Sequence, residues 1–282
     1  MNISGSTRVF LILGDPVAQV KAPQAFNHLF REHGVDAVLV PAHVSPADFA
    51  AFVTQALKAH NIDGLWLTIP HKSSIIPLLD HCDALGLAAG AVNAARRNAD
   101  GSIEGALFDG VGFTKALDHW AIPIEGRRIL VVGVGGAGVA IAASLAARRA
   151  GCVALSARNP GPAIEVAGRL QERFGCEVVS VATPDPAGYD LVINATPLGL
   201  DPGDPLAFDV ARLDAGASVV DILMKNQPTP LLRACEARGI RAYTGFEMLI
   251  QQVPEYLSFF GMEGISREVA ADLSGVRALF GP

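Results

Sequence analysis

The chain is poor in aromatic residues, in charge and in cysteine. Phe, Trp and Tyr make up 6% of its 282 residues and charged side chains 18%, while half of the residues are hydrophobic. So little charge with so much apolar surface excludes disorder. An excess of positive charge is also missing: 22 basic residues face 28 acidic ones, a net charge of −6, which argues against a nucleic-acid partner. The cysteines, Cys82, Cys152, Cys176 and Cys235, stand at least 24 residues apart. That spacing provides neither a metal site nor a disulfide framework, and predicts free thiols in a reducing compartment. An unbroken hydrophobic run is lacking too. Mean hydropathy is high (+0.35), but the richest stretch, Ile129 to Ala147, is interrupted by four glycines and flanked by Arg127, Arg128, Arg148 and Arg149. This is the wrong composition for a membrane span. Near the first residues there is no charged segment leading into an apolar core and cleavage site, so secretion is not expected. These absences point to a cytoplasmic α/β protein without a metal, nucleic-acid or membrane partner; a small-molecule substrate and a monomeric or homodimeric state are expected but do not follow from composition.

What is present is an alternation of short apolar runs with helical segments. Val9–Gly14, Ala37–Val40 and Gly64–Ile69 read as strands, Pro23–His33 as a helix closed by Gly34, and Pro46–His60 as a helix with Ala50, Val53 and Leu57 near one face. After Pro123 the pattern restarts. Strands are predicted at Arg128–Val132, Cys152–Ser156, Glu177–Val181, Leu191–Asn194, Ser218–Ile222 and Arg241–Tyr243. Helices are predicted at Gly136–Arg149 and Ala163–Phe174, and a loop at Leu198–Asp209. Alternation of this kind predicts βαβ units and parallel sheets. Glu247 to Phe280 reads as helical and is expected to return to the first lobe. The predicted architecture is therefore two α/β lobes with a cleft between them. Residues 1–112 with 246–282 form one lobe, and 113–245 form a doubly wound, Rossmann-type lobe.

Gly133-Val134-Gly135-Gly136-Ala137-Gly138 matches G-x-G-x-x-G, follows the apolar strand Ile129–Val132 and opens a helix. In that context the glycines allow a tight turn and the approach of a pyrophosphate to backbone N–H groups at a helix N-terminus. An acidic residue at the end of the second strand would bind the ribose 2′-hydroxyl of NAD. Here that strand ends in Ser156-Ala157-Arg158-Asn159, and no Asp or Glu occurs from Gly126 to Ile164. Arg158 suits a 2′-phosphate, so NADP is favoured over NAD. Arg148 or Arg149 could share that role.

Further motifs follow in order. They are Gly14-Asp15-Pro16-Val17, then Pro23 and Asn27; Gly64-Leu65-Trp66-Leu67-Thr68-Ile69-Pro70-His71-Lys72; and Gly90-Ala91-Val92-Asn93. Phe108-Asp109-Gly110, Asn194-Ala195-Thr196-Pro197-Leu198-Gly199 and Gly245-Phe246-Glu247-Met248-Leu249-Ile250-Gln251-Gln252 complete the series. In these motifs, over nearly its whole length, the chain resembles the shikimate/quinate dehydrogenases. The resemblance implies that Lys72 and Asp109 form the catalytic pair. Lys72 would exchange the hydroxyl proton during reversible hydride transfer between NADP(H) and a secondary alcohol or ketone. A free lysine, with a pKa of about 10.4, is mostly charged at pH 7; partial desolvation would lower that value and a neighbouring Asp109 would raise it. His71 is a rival base, although an exposed or capping histidine is the plainer reading. By the same resemblance Thr68, Asn93 and Gln252 position the substrate. Gly133, Gly135, Gly136, Ala137, Gly138, Arg158, Asn159, Asn194, Thr196, Gly245 and Met248 hold the cofactor.

The chain departs from the family where the substrate carboxylate is read. Two serines in a Ser-x-Ser-Pro motif are replaced within Val20-Lys21-Ala22-Pro23. Losing two hydrogen bonds to a charged group costs about 1.5–3 kcal/mol each, which Lys21 offsets if it points inward. Trp66, Leu107, Phe108, Ala94 and Met224 also stand where the family has polar residues. An apolar wall cannot satisfy a polyhydroxylated ring, so the expected substrate is a shikimate- or quinate-like cyclic hydroxy acid or a less hydroxylated analogue. A dinucleotide-binding sensor without turnover is the competing expectation.

Overall fold

The computed structural model describes residues 3–201 and 203–280. It divides into two compact units, Met1–Phe108 with Ile250–Pro282, and Asp109–Leu249.

The first unit is built from β1 (Arg8–Gly14), α1 (Ala22–Glu32), β2 (Ala37–His43), α2 (Phe49–Ala56), β3 (Ile62–Leu67), β4 (His81–Cys82), α3 (Ala84–Ala89), β5 (Ala94–Arg97) and β6 (Ile103–Ala106). Its six-stranded sheet has the order β2-β1-β3-β5-β6-β4. β1 lies parallel to β2 and β3, whereas β5 runs antiparallel to both β3 and β6. The parallel arrangement expected from the sequence therefore holds for the first three strands. The elements between residues 81 and 106 are too short to show a clear period in the sequence.

Alternation along the strands sends side chains to opposite faces. Leu13, Leu65 and Leu67 pack with Val44, Phe49, Val53 and Leu57 on one face. Phe10 and Trp66 point to the other and meet Phe26, Phe30, Tyr256 and Phe260. The helix expected at Pro46–His60 is shorter, starting at Phe49. Its buried stripe is Phe49, Val53 and Leu57, spaced four residues apart, so Ala50, expected on that stripe, is exposed.

The second unit contains α4 (Asp109–His119), β7 (Arg128–Val132), α5 (Gly136–Ala147), β8 (Cys152–Ser156), α6 (Pro160–Phe174), β9 (Glu177–Val181), β10 (Leu191–Asn194), β11 (Ser218–Asp221), α7 (Pro230–Glu236) and β12 (Arg241–Thr244). All its strands are parallel, in the order β12-β11-β10-β7-β8-β9. The chain winds outward from β7 in one direction and then from β10 in the other, so the switch point lies between these two strands. Helix α5 is buried continuously from Gly138 to Ala146. A side chain at Gly110 of α4 would collide with the Ala140 carbonyl of α5, so the two helices approach at backbone distance. Local signals set the other helix ends. Asn159 caps α6 before Pro160, Gly175 ends it with φ +66°, and Thr229 caps α7 before Pro230.

The C-terminal segment forms α8 (Phe246–Phe259), α9 (Glu263–Ala271) and α10 (Ser274–Phe280). Residues from Ile250 onward belong to the first unit. The division falls inside α8, whereas the sequence suggests a break just before Phe246. No described helix is long and apolar enough to cross a membrane.

Candidate functional site

The glycine turn between β7 and α5 gives each of three glycines a separate task. Gly133 has φ +103°, and a Cβ there would stand 2.7 Å from the Ala195 carbonyl carbon. Gly138 faces the Gly133 carbonyl oxygen so closely that any side chain would collide with it. Gly135 differs: a Cβ there meets nothing within 4 Å. That open side of the turn lies at the start of α5, whose first intrahelical hydrogen bond is donated by Val139 to Gly135. The preceding helical amides, at Gly136, Ala137 and Gly138, therefore lack intrahelical acceptors. No side chain caps them and no acidic residue occupies the first turn. This is the chemistry of an anion site with room for a pyrophosphate, so the residues present fit a dinucleotide.

β8 ends beside this turn, with the Ser156 carbonyl accepting from Gly133 N–H at 2.8 Å. Arg158 follows two residues later and is exposed. Asn159 is occupied locally, its side-chain oxygen accepting from Gly161 N–H at 3.2 Å as the α6 cap. Arg148 and Arg149, offered by the sequence as substitutes for Arg158, lie past the opposite end of α5. Arg148 forms a two-pronged pair with Asp118 at 2.9 Å, and Arg149 pairs with Glu125 at 3.0 Å. Both are thus committed elsewhere.

At the end of β10, Asn194 is fully buried and its amide is saturated by the protein. Its Nδ2 donates to the Leu198 carbonyl at 3.2 Å and to Asp221 Oδ1 at 3.1 Å. Its Oδ1 accepts from the Thr196 amide at 3.0 Å and the Thr196 hydroxyl at 2.7 Å. The side chain thus acts by shaping the loop after β10. Gly245 follows β12 directly, in close contact with Ile222, where a Cβ would lie 2.6 Å from the carbonyl oxygen. Met248 is buried one turn further on, its amide donating to Gly245 at 3.2 Å.

In the first unit the structure gathers Thr68, Lys72, Asn93 and Gln252 around the ends of β3 and β5. β3 continues into a tight turn in which His71 N–H donates to Thr68 at 2.8 Å. The Lys72 carbonyl accepts from Val92 at 2.8 Å, which brings Asn93 alongside. Asn93 is buried. It donates from Nδ2 to Gln252 Oε1 at 3.2 Å, and its Oδ1 accepts from Phe108 N–H at 2.8 Å. Asp109 follows directly, buried at the first position of α4. Lys72 is half-buried, and both Lys72 and Asp109 have interaction partners. Lys21 is exposed at the start of α1.

His71 is neither exposed nor a cap. It is fully buried, stacked on Phe49 with ring centroids 4.2 Å apart, and its Nε2 lies 2.8 Å from the Val44 carbonyl. That geometry makes it a packing residue. Sequence reasoning missed Tyr256, whose hydroxyl donates to the Asn93 carbonyl at 3.2 Å, and Asp221 behind Asn194. A polar residue closing an apolar strand, as in Ser218-Val219-Val220-Asp221, was the available signal for the latter.

Residues 12–95 match the shikimate dehydrogenase substrate binding domain. Shikimate dehydrogenase (NADP(+)) of Acidiphilium cryptum is 37% identical, over 98% of this chain and all of the relative. The chain belongs to the shikimate dehydrogenase family. Its fold also matches the shikimate 5-dehydrogenase of Thermus thermophilus in complex with NADP(H) and shikimate, with a TM-score of 0.78, 26% identity and coverage of 93% and 99% of the two chains. The quinate dehydrogenase of Corynebacterium glutamicum in complex with NAD matches with a TM-score of 0.85, 26% identity and coverage of 97% and 98%.

Seen within this family, most of the apolar departures have a packing explanation. Trp66 is 2% exposed, stacked on Phe260 at 4.2 Å and on Tyr256 at 5.1 Å. Leu107 and Ala94 are fully buried. Half-buried Phe108 meets Tyr256 and Phe259 edge-on. Trp66, Leu107 and Ala94 thus fill the core of the first unit and do not wall a ligand site.

Proposed function

We propose that this protein is an NADP-dependent oxidoreductase of the shikimate dehydrogenase type. It interconverts a secondary alcohol and its ketone on a shikimate- or quinate-like cyclic hydroxy acid, or on a less hydroxylated analogue. The observation that carries this reading is the open backbone at Gly135, at an uncapped helix start next to the end of β8, the strand that Arg158 follows. The unit carrying that turn binds the dinucleotide, and the unit carrying Thr68, Lys72, Asn93 and Gln252 binds the substrate. The protein acts in the cytoplasm as a monomer or homodimer.

NADP, when bound, supplies the hydride acceptor, and NADPH the hydride. The amides of Gly136, Ala137 and Gly138 hold the pyrophosphate, and the Arg158 guanidinium holds the 2′-phosphate. Lys72 Nζ takes the hydroxyl proton as the alcohol is oxidised and returns one to the forming alkoxide in reduction. Asp109 is the second member of the catalytic pair and orients the substrate hydroxyl. Asn93 and Gln252, already bonded to each other, present a fixed polar edge with Thr68 to the substrate hydroxyls. The altered Val20-Lys21-Ala22 segment favours substrates whose carboxylate is held by Lys21 alone.

A panel of cyclic hydroxy acids and polyols, incubated with NADP⁺ while the reduced cofactor is followed by absorbance, tests this reading. At least one compound is expected to turn over. Lys72→Ala is expected to lower its rate by roughly a hundredfold or more, the scale of general acid–base catalysis. NADPH binding with no turnover on any compound would overturn the enzymatic role.

A further inference from the structure

We infer that Asp221 is a positioning residue for the dinucleotide site: its buried carboxylate ties together the loops after β10 and β11 and so holds Ala195 and Thr196 against the glycine turn. The inference rests on the proposed binding of NADP at that turn and extends it to a group that does not touch the cofactor.

Asp221 closes β11 with no exposed surface. Its Oδ1 accepts from Asn194 Nδ2 at 3.1 Å and from Leu223 N–H at 3.2 Å, and its Oδ2 accepts from the Thr229 hydroxyl at 2.6 Å. These donors come from the end of β10, the loop after β11 and the cap of α7. An apolar residue would fill the same space but leave these buried donors without an acceptor. The carboxylate satisfies them together and makes one rigid unit of segments distant in sequence.

Asn194 passes this constraint toward the turn. While bonded to Asp221, it accepts from both the amide and the hydroxyl of Thr196, and the Thr196 hydroxyl accepts from Leu198 N–H at 3.1 Å. Ala195 N–H donates to Val132 at 2.7 Å, the last residue before Gly133. Ala195 and Thr196 then form the wall that a side chain on Gly133 would strike, at 2.7 Å and 2.9 Å. Asp221 is thus connected to the turn through Asn194 and one further residue. Its neighbour Ile222 also supports Gly245 at the junction of β12 and α8.

Fluorescence titration with NADPH of the full-length wild type, Asp221→Ala and Asp221→Asn tests the inference, with circular dichroism as the check on folding. Asp221→Ala removes every acceptor and is expected to weaken NADPH binding at least tenfold. It is also expected to raise the KM for NADP⁺ while leaving that for the alcohol within about twofold. Asp221→Asn retains an acceptor for Asn194 and Leu223 and is expected to restore affinity to within about threefold of wild type. If Asp221→Ala does not fold, Thr229→Val, which removes one donor at nearly constant shape, is expected to weaken NADPH at least threefold. A folded Asp221→Ala or Thr229→Val protein that binds NADPH as tightly as wild type overturns the inference. A wild type that fails to bind NADPH overturns the cofactor reading beneath it.

Discussion

Gly138 and Gly133 are in backbone contact across the turn that opens α5, close enough that no side chain fits at Gly138. Gly135, between them in sequence, faces open space. One glycine motif thus contains positions required for folding and a position left clear for a ligand.

Gly138→Ala and Gly135→Ala are therefore expected to separate stability from binding. The first forces the helix away from the turn, lowering the thermal midpoint and weakening NADPH binding together. The second leaves the midpoint near wild type but places a methyl group where the pyrophosphate approaches, weakening NADPH. Equal effects of the two substitutions on the melting curve would contradict this division.

Arg158→Ala is expected to weaken NADP far more than NAD. A lost charge-assisted hydrogen bond to phosphate is worth about 1.5–3 kcal/mol, or roughly tenfold or more in the ratio of the two dissociation constants. Arg148→Ala, at a residue paired with Asp118, is expected to leave that ratio unchanged. Parallel titrations with both cofactors decide the matter, and equal losses for NADP and NAD would remove the role assigned to Arg158.

Replacing Val20 and Ala22 together by serine is expected to raise kcat/KM for shikimate at least tenfold, because each hydroxyl adds a hydrogen bond to a carboxylate. Initial rates over a range of shikimate concentrations give the answer. An unchanged value would show that the carboxylate is held elsewhere.

Burial raises the pKa of Asp221 above the ordinary value of 3.8, outweighing the hydrogen bonds from Thr229, Leu223 and Asn194 that lower it. The folded protein therefore holds this proton more tightly than the unfolded chain. The resulting stabilisation is complete below pH 3.8 and is lost as pH rises through the folded-state pKa. Nearby Cys235, pushed up to about 11 by burial and by Asp221, stays protonated throughout that range. Denaturant unfolding of wild type and Asp221→Asn should show the wild-type advantage shrinking as pH rises from below 3.8. A pH-independent difference would refute this linkage.

Local pattern and motif order made much of the molecule legible. The strands Arg128–Val132, Cys152–Ser156 and Glu177–Val181 appear with the limits read from the sequence, because each is an apolar run bounded by turn or cap residues. The elements β4, α3, β5 and β6 were not legible, since two to six residues carry too little periodicity. His71 and Trp66 show the limit at the level of single residues. Their sequence context marks them as part of a reactive motif, but neighbours distant in the chain, Phe49 and Phe260, bury them.

The order of short-range signals thus determined the α/β class, the glycine turn, the absence of an acid at the end of β8 and the family, because each depends on residues close together in the chain. Tertiary packing decided which side chains remain available for chemistry. It committed Asn194 to its own loop, Arg148 to Asp118 and His71 to the core, and it joined Asn93 to Gln252 and Asp221 to Thr229. A side chain's hydrogen-bonding capacity is finite, and only the folded arrangement of distant segments determines which groups use it up.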